Sequence, residues 1–318
     1  MQPLTAVPTP PPAGASPTLL GTGPDPAGVA TLPRALVRAC RLAGGRMKVA
    51  DSLGTRLSGR SLLIRILCAK RVLERVLAPD EQRVGVMLPP TAATAIVNAA
   101  LVLMGRVAVN LNYTTSQQIL DLSIERAGLR RVLSSPVFLA RVKLSLGERL
   151  LDATELKSRL TRFDMLAAAT QATCLPLAML ERTLGLDRLR ADDVLTVIFT
   201  SGSTGDPKGV VHTHRSLRAR WITLAESLPG EPFRRTLSVL PTHFGHGLIC
   251  NCLFPWLSGR DLFITPPFKS DLLMRLGALI DEHDITFLSS VPSVWRMALK
   301  LARPPKKGTL ERVHCGSA

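Results

Sequence analysis

From Arg83 to Leu133, short apolar runs alternate with longer segments whose apolar residues recur at helical spacing. Arg83–Leu88 is apolar and β-forming, and it stops at Pro89-Pro90, which can supply no ladder donors. Thr91–Met104 is Ala- and Val-rich and reads as a buried helix, and Val107–Leu111 as a second strand. Ser116–Ala127 puts Ile119, Leu120, Leu122 and Ile124 near one helical face, and Leu129–Leu133 reads as a third strand. Strands separated by helices of this length predict βαβ units and a largely parallel sheet.

The alternation resumes beyond residue 193. Val194–Phe199 and Gly209–His212 read as strands close enough to form a hairpin. They are followed by a helix from Arg215, strand Leu237–Leu240, helix Gly247–Leu257 and strand Asp261–Ile264. Then come helix Asp271–Asp281, strand Ile285–Leu288, helix Pro292–Leu301 and strand Glu311–Cys315. Ser270 can cap a helix with its hydroxyl, and Pro292 suits a first turn, where its missing N–H costs nothing. Residues 137–190 are Leu-, Arg- and Ala-rich and helical in propensity, with no recognisable chemistry. Residues 1–31 (VPTPPPAGASPT, GTGPDPAG) show no period and almost no charge, which predicts a disordered leader before a domain over 32–318.

Composition narrows the partners. The 318 residues carry a formal net charge of +16, which favours polyphosphates, an acidic carrier protein or peripheral contact with anionic lipid. Nucleic acid is not expected, because aromatic RNA-binding patterns, zinc-finger spacing and dense Lys/Arg tracts are all missing from the sequence. The six cysteines are scattered in apolar settings, as buried thiols in a reducing compartment would be. Cys250-x-Cys252 lacks the second pair that a metal knuckle needs. The best apolar run, Thr91–Met104, falls well short of the roughly 20 residues of a membrane span. The N-terminus has no early Lys or Arg followed by an apolar stretch, so a cytoplasmic chain is expected.

The chemistry concentrates in Thr196–His214, TVIFTSGSTGDPKGVVHTH. Its glycines free the backbone to curl consecutive N–H groups around an anion, and Thr200, Ser201, Ser203 and Thr204 add hydroxyl donors. Lys208 supplies a point charge behind Pro207, which stiffens the approach. The spacing is not that of a Walker A loop. His212-x-His214 and His243-x-x-His246 could be read as four metal ligands.

Residues 200–209, TSGSTGDPKG, resemble the phosphate-loop signature of the adenylate-forming enzymes, which is usually written [ST]-S-G-[ST]-T-G-x-P-K-G. Leu240–Gly247 (LPTHFGHG) resembles that family's pocket motif, and Ser290–Trp295 (SVPSVW) its V-P-[ST] helix start. Arg312–Ala318 (RVHCGSA) is similar to the opening of its adenine-side segment. Val109–Thr114 (VNLNYT) is similar to the branch that ligates fatty acids to acyl carrier protein.

The resemblance implies the layered αβ sheets of the family's large N-terminal domain, incomplete at its C-terminus, over residues 32–318. It implies activation of a carboxylate by ATP and Mg2+ to an acyl-adenylate, with transfer to CoA or a carrier-protein phosphopantetheine thiol. By the same resemblance Thr200, Ser201, Gly202, Ser203, Thr204, Gly205 and Lys208 would grip phosphates. Gly316, Ser317 and Ala318 would line the adenine, and His243, Phe244 and the helix from Gly247 would wall the acid pocket. The family places the histidine segments at a nucleotide site, so no metal is assigned to them. Histidines at 243 and 246 with Phe at 244 depart from the usual motif, leaving open which side chain gates the carboxylate. No Asp opens the pocket, which argues against an amino-acid-activating domain. The family's Tyr-Gly-x-Thr-Glu segment, whose Glu holds Mg2+, and its catalytic Lys would follow Ala318. No catalytic residue is therefore assigned within the chain, and residues 1–318 are expected to be inactive alone. The alternatives are a non-catalytic truncated or degenerate relative and an aryl- or amino-acid-activating domain.

Overall fold

The computed structural model describes residues 31–201, 206–227, 234–257, 261–265 and 270–316. Nearly all of the expected leader lies outside the described residues, as do Gly202, Ser203, Thr204, Gly205, Ser317 and Ala318. Thr31 is described: it is buried, and its carbonyl accepts from Ala35 N–H at the start of helix Leu32–Ala43.

In chain order the strands among the described residues are β1 (Met47–Asp51), β2 (Arg56–Ser58), β3 (Arg83–Val86), β4 (Val107–Asn110), β5 (Val132–Ser134) and β6 (Leu150–Asp152). They continue with β7 (Val194–Ser201), β8 (Pro207–Thr213), β9 (Arg235–Ser238), β10 (Asp261–Ile264), β11 (Phe287–Ser290) and β12 (Arg312–Cys315). Two six-stranded sheets result, ordered β12-β11-β9-β10-β1-β2 and β6-β5-β3-β4-β7-β8. Both are parallel except at one edge, where β1/β2 and β7/β8 pair antiparallel. The first sheet is stitched across the chain, since β1 pairs β10 with Val49 opposite Leu262.

Most expected elements form, and the departures have local causes. Val239 and Leu240 leave β9 because its neighbour β10 ends at Ile264, opposite Ser238. Ile285 closes the preceding helix by donating to the Ile280 carbonyl, with Asp284 at φ 47°, so β11 begins two residues later than expected. The helix expected over 271–281 is two, Ser270–Met274 and Leu276–Glu282, and Ser270 is the first residue of the first. The helix expected over 247–257 opens as a π-helix, His246–Leu253, before an α-helical turn, Phe254–Leu257.

The main core lies between and around the sheets. Helix Gly59–Val76 buries Leu62, Leu63, Ile66 and Leu67, each at most 1% exposed, in a row spaced for one helical face. Full burial of such a side chain contributes roughly 2 kcal/mol. The helix packs against Ala92–Leu103 and Arg162–Thr173. Helix Ala92–Leu103 brings Asn98 to β4, where Asn98 and Asn110 exchange amide hydrogen bonds at 3.2 and 2.8 Å, both side chains buried.

The 137–190 stretch supplies edge strand β6 and helices that brace the core. Thr161 and Asp164 form a capping box at the start of Arg162–Thr173, and Asp164 also pairs with Arg75 at 2.8 and 2.9 Å. Hydrogen bonds from Arg75 and Thr161 hold the Asp164 carboxyl well below the usual range. Glu181 is buried and joins Arg34 and Arg38 of the first helix. Thr161→Ala should cost about 1 kcal/mol, read as a lower urea midpoint at unchanged m-value. A midpoint equal to that of the parent chain would show that the cap contributes nothing.

All six cysteines are free; Cys40, Cys68 and Cys252 are buried, but Cys174 and Cys315 are exposed, contrary to the expectation of buried thiols. Among the described residues no helix is long and apolar enough to cross a membrane, and no cluster of His, Cys, Asp or Glu could hold a metal ion.

Candidate active site

The Thr196–His214 segment folds as the β7/β8 hairpin on one edge of the second sheet. Its register sets Thr200 opposite Lys208 and Ser201 opposite Pro207, so residues 202–205 run between two fixed ends. Directly opposed residues of an antiparallel pair point to the same face, and Thr200 and Lys208 therefore share one. Thr200 Oγ1 donates to the Lys208 carbonyl at 3.4 Å. Lys208 is exposed and makes no ion pair among the described residues, which leaves its charge available to an anion.

Alternation along β7 puts Ile198 on the same face as Thr200. Ile198 is buried, and its Cδ1 would lie 3.7 Å from a Cβ built on Gly245. The 241–246 loop thus passes over the face that carries Thr200 and Lys208. Helix Gln117–Arg126 packs against β8.

The loop is pinned by contacts that the sequence does not announce. Tyr113, just beyond β4, meets His243 edge-on with ring centroids 4.6 Å apart and Phe138 at 5.2 Å. The Tyr113 hydroxyl and His243 Nδ1 are buried atoms without a hydrogen-bond partner among the described residues. Burial pushes Tyr113 up to about 12 and His243 down to about 4, so both are uncharged at neutral pH. Orphaned buried groups of this kind suit a polar ligand. Tyr113 lies within the Asn-Leu-Asn-Tyr-Thr run, but its partner is 130 positions away and no local pattern could have found it.

Phe244 is 36% exposed at the rim, and Gly247 is buried in the first turn of the π-helix. A Cβ on Gly247 would come 2.2 Å from the Pro241 carbonyl oxygen, so only glycine permits this approach. Inside the turn, His246 Nε2 lies 2.5 Å from Ser289 Oγ, which lies 2.9 Å from His314 Nδ1. One hydroxyl has one proton, so one ring accepts from Ser289 while the other donates to it. Burial, and secondarily His314, keep His246 below its ordinary value, while the Gly316 backbone works in the opposite direction. Asn251, on the same helix, donates to the Ser289 carbonyl at 3.0 Å.

Gly316 follows β12 and donates to the Ser290 carbonyl at 3.2 Å, which places it beside His314 at the strands' C-terminal ends. Ligands bind at that end of parallel strands. His212 and His214 do not act together: His212 sits on β8, while His214 opens helix His214–Ser227, buried, its Nδ1 accepting from Leu32 N–H at 3.4 Å. The structure therefore brings together Thr200, Lys208, the His243–Gly247 loop and Tyr113, with Gly316 on the neighbouring sheet. Gly202–Gly205, Ser317 and Ala318 lie outside the described residues, and of Ser201 only the backbone is described.

Comparison with known proteins gives three findings. The family described as AMP-binding enzyme matches residues 36–318. A malonate–CoA ligase of Arabidopsis thaliana is 44% identical over 112 residues, 33% of this chain and 18% of that protein. The mitochondrial malonate–CoA ligase of Bos taurus is 31% identical over 115 residues, 36% of this chain and 20% of that protein. These matches span less than two thirds of either relative's length. Among solved structures, the N-terminal domain of FACL13 from Mycobacterium tuberculosis superposes with a TM-score of 0.71 at 19% identity, covering 91% of this chain and 70% of that one. The O-succinylbenzoate coenzyme A synthetase of Bacillus subtilis, solved with AMP, gives 0.71 at 18%, covering 89% and 67%. At such identities the superpositions establish a shared fold.

Proposed function

The chain belongs to the AMP-binding enzyme family, and on that premise we propose that it activates a carboxylic acid with ATP and Mg2+ and passes the acyl group to a thiol. The observation that supports the reading is the shared face of β7 and β8, on which Thr200 and Lys208 are exposed, Lys208 makes no ion pair among the described residues, and the 241–246 loop passes over Ile198. ATP, when bound, offers an α-phosphorus to which a carboxylate oxygen bonds as pyrophosphate leaves; the thiol sulfur then bonds to the acyl carbon as AMP leaves.

In this reading Lys208 balances charge on the departing phosphates, and Thr200 Oγ1, which donates to the Lys208 carbonyl at 3.4 Å, would turn its one proton to a phosphate oxygen when the nucleotide binds. Such groups, fixed before the reaction, stabilise developing charge without reorganising. The residues present fit the nucleotide because, among the described residues, Lys208 has no ion-pair partner and the neutral Tyr113 hydroxyl and His243 Nδ1 have no hydrogen-bond partner. Gly316 would approach the adenine, as a residue without a side chain can. The Mg2+ ligands are not assigned among the described residues.

For the acid, the Asn-Leu-Asn-Tyr-Thr segment suggests a fatty acid. A short polar acid is the second reading, favoured by the likeness to malonate–CoA ligases. The thiol is CoA or the phosphopantetheine of an acyl carrier protein, an acidic partner suited to the +16 charge, in the cytoplasm. That charge is also the basis for proposing peripheral contact with anionic lipid.

Acid-dependent exchange of labelled pyrophosphate into ATP tests the proposal, with fatty, dicarboxylic, aryl and amino acids compared. The assay is run on residues 1–318 and on any longer polypeptide that the same reading frame encodes. Such a longer polypeptide is expected to exchange with fatty or short polar acids, and residues 1–318 alone are not. Exchange with aryl acids only would overturn the substrate reading, and vigorous exchange by residues 1–318 would overturn their proposed inactivity.

A further inference from the structure

The buried Ser289 hydroxyl stands between two imidazoles, 2.5 Å from His246 Nε2 and 2.9 Å from His314 Nδ1. His246 is 6% exposed, whereas His314, on edge strand β12, is exposed. The other ring nitrogen of His246, Nδ1, is a buried atom with no hydrogen-bond partner among the described residues. We propose that Ser289 is a positioning residue that couples the two rings. Through it a proton held by His314 becomes a hydrogen-bond donor at His246 Nδ1, which serves an oxygen of the acid's carboxylate; this last contact rests on the carboxylate reading given above.

The hydroxyl has one proton and a neutral imidazole one N–H, so two arrangements satisfy the chain of bonds. In the first, His314 Nδ1–H donates to Ser289 Oγ, whose proton donates to His246 Nε2, and His246 carries its own proton on Nδ1. In the second, His246 Nε2–H donates to Oγ, whose proton turns to His314, and Nδ1 is a bare acceptor. A cationic His314 has a proton on both nitrogens and allows the first alone. Relative to the second arrangement it holds one more proton, taken from solvent. The added proton stands on His314 Nδ1, the hydroxyl turns toward His246, and the His246 proton has moved from Nε2 to Nδ1. A carboxylate only accepts, so it meets a donor in the first arrangement and a lone pair in the second. The carboxylate contact thus falls to His246 rather than His243.

The charge belongs on His314. Burial disfavours a cation on His246, and His314 acts on it as an adverse neighbouring charge. Titratable or charged groups on the elements around His246 are His243 on the loop, Cys250 and Cys252 on its helix, Arg235 on β9, and Arg312, His314 and Cys315 on β12. Arg235 is paired with Asp284 at 2.9 Å, and among the described residues it is His314 that acts on His246. Coupling through a neutral hydroxyl offers an anion a proton without burying a charge, which would cost far more.

Ser289 is held from both sides. β11 and β12 pair it with His314 in parallel register, and Trp295 Nε1 donates to the His314 carbonyl at 3.1 Å. Asn251 Nδ2 donates to the Ser289 carbonyl at 3.0 Å. An α-helix would set His246 and Asn251 about 140° apart around its axis. The wider turn of the π-helix His246–Leu253 brings both onto Ser289, and such turns concentrate at functional sites.

Two-bond proton–nitrogen correlation spectra, which read the ring nitrogen that carries a proton, test the coupling on the histidine-labelled 318-residue chain without turnover. Signals missing in His246→Gln and in His314→Gln assign the rings. From about pH 8 to about pH 5.5, His314 should gain its second N–H while His246 stays neutral and its proton moves to Nδ1, with one midpoint for both. In Ser289→Ala the move at His246 should be lost while His314 still titrates, and Ser289→Thr, which keeps the hydroxyl, should restore it. His314→Gln should abolish the move as well, and it decides alone should Ser289→Ala not fold. A His246 tautomer that ignores the His314 titration in the parent chain overturns the coupling, as does a move that persists in His314→Gln. Sodium octanoate and sodium malonate then probe the contact. Binding of either should raise the share of His246 protonated on Nδ1, with a midpoint about tenfold weaker in Ser289→Ala. Acid binding that leaves His246 unchanged, or no binding of either acid, overturns the carboxylate contact, while the coupling stands or falls on the ligand-free spectra. Pyrophosphate exchange decides the ligase reading separately.

Discussion

Gly247→Ala is expected to cost about 3 kcal/mol of stability, at the upper end of what one added methyl group does in a packed site. The added Cβ would sit 2.2 Å from the Pro241 carbonyl oxygen and 3.0 Å from the Leu240 Cβ. The first contact is with backbone, so no rotamer change relieves it. Either the π-helix lifts away from the 240–241 turn or the turn itself moves, and His246, bonded to Ser289, must move with it. Gly245→Ala is the matched control. There the nearest atom would be Ile198 Cδ1 at 3.7 Å, and the residue already has helical φ and ψ of −54° and −42°. Urea titrations followed by tryptophan fluorescence should show a large drop in midpoint for Gly247→Ala and little change for Gly245→Ala. Equal midpoints in the two variants would refute the close-approach argument.

Acidification from pH 7 to 4.5 is expected to remove roughly 2.5 kcal/mol through His214 alone. Burial pushes His214 down to about 4, partly opposed by Asp193, while an unfolded histidine titrates near 6.5. Between those values the unfolded chain binds a proton that the native chain excludes. The stability is therefore complete above about 6.5 and is lost as pH falls toward 4. The geometry agrees, because Nδ1 accepts the Leu32 N–H bond and cannot do so once protonated. His243 is pushed to the same value by burial, and His212, His246 and His283 are lowered too, so their contributions share this sign. His214→Gln keeps an acceptor for Leu32 without a titrating ring. It should lose less stability than the parent between pH 7 and 4.5, as measured by urea midpoints at both values. An identical loss in variant and parent would exclude His214 as a source.

What the sequence made legible was local. The alternation of runs after Val194 placed the strands and helices because each is bounded by its own turn residues, and Pro292–Leu301 forms with the expected limits. The short connection between the two apolar runs around TSGSTGDPKG identified the hairpin before any pairing was known. Nothing local could place β1, whose partner β10 lies more than 200 residues away, or divide the strands of the described residues between two sheets. The site was half visible for the same reason. Lys208 and His243 lie in recognisable motifs, whereas Tyr113 meets His243 from far along the chain. The π-helix was hidden too, since its apolar spacing resembles that of an α-helix and its widened turn depends on the glycine against Pro241.

The reciprocal amides of Asn98 and Asn110 carry a consequence for descent. Asn98 Nδ2 also serves the Thr94 carbonyl at 2.9 Å, so its donor is committed twice. Changing either asparagine alone strands the other's amide in the core, at a penalty of about 1–3 kcal/mol. Replacing both with apolar residues of similar shape strands neither. Drift therefore meets two positions as a single locus, and a lineage that abandons this pair crosses a costly intermediate or changes both residues together.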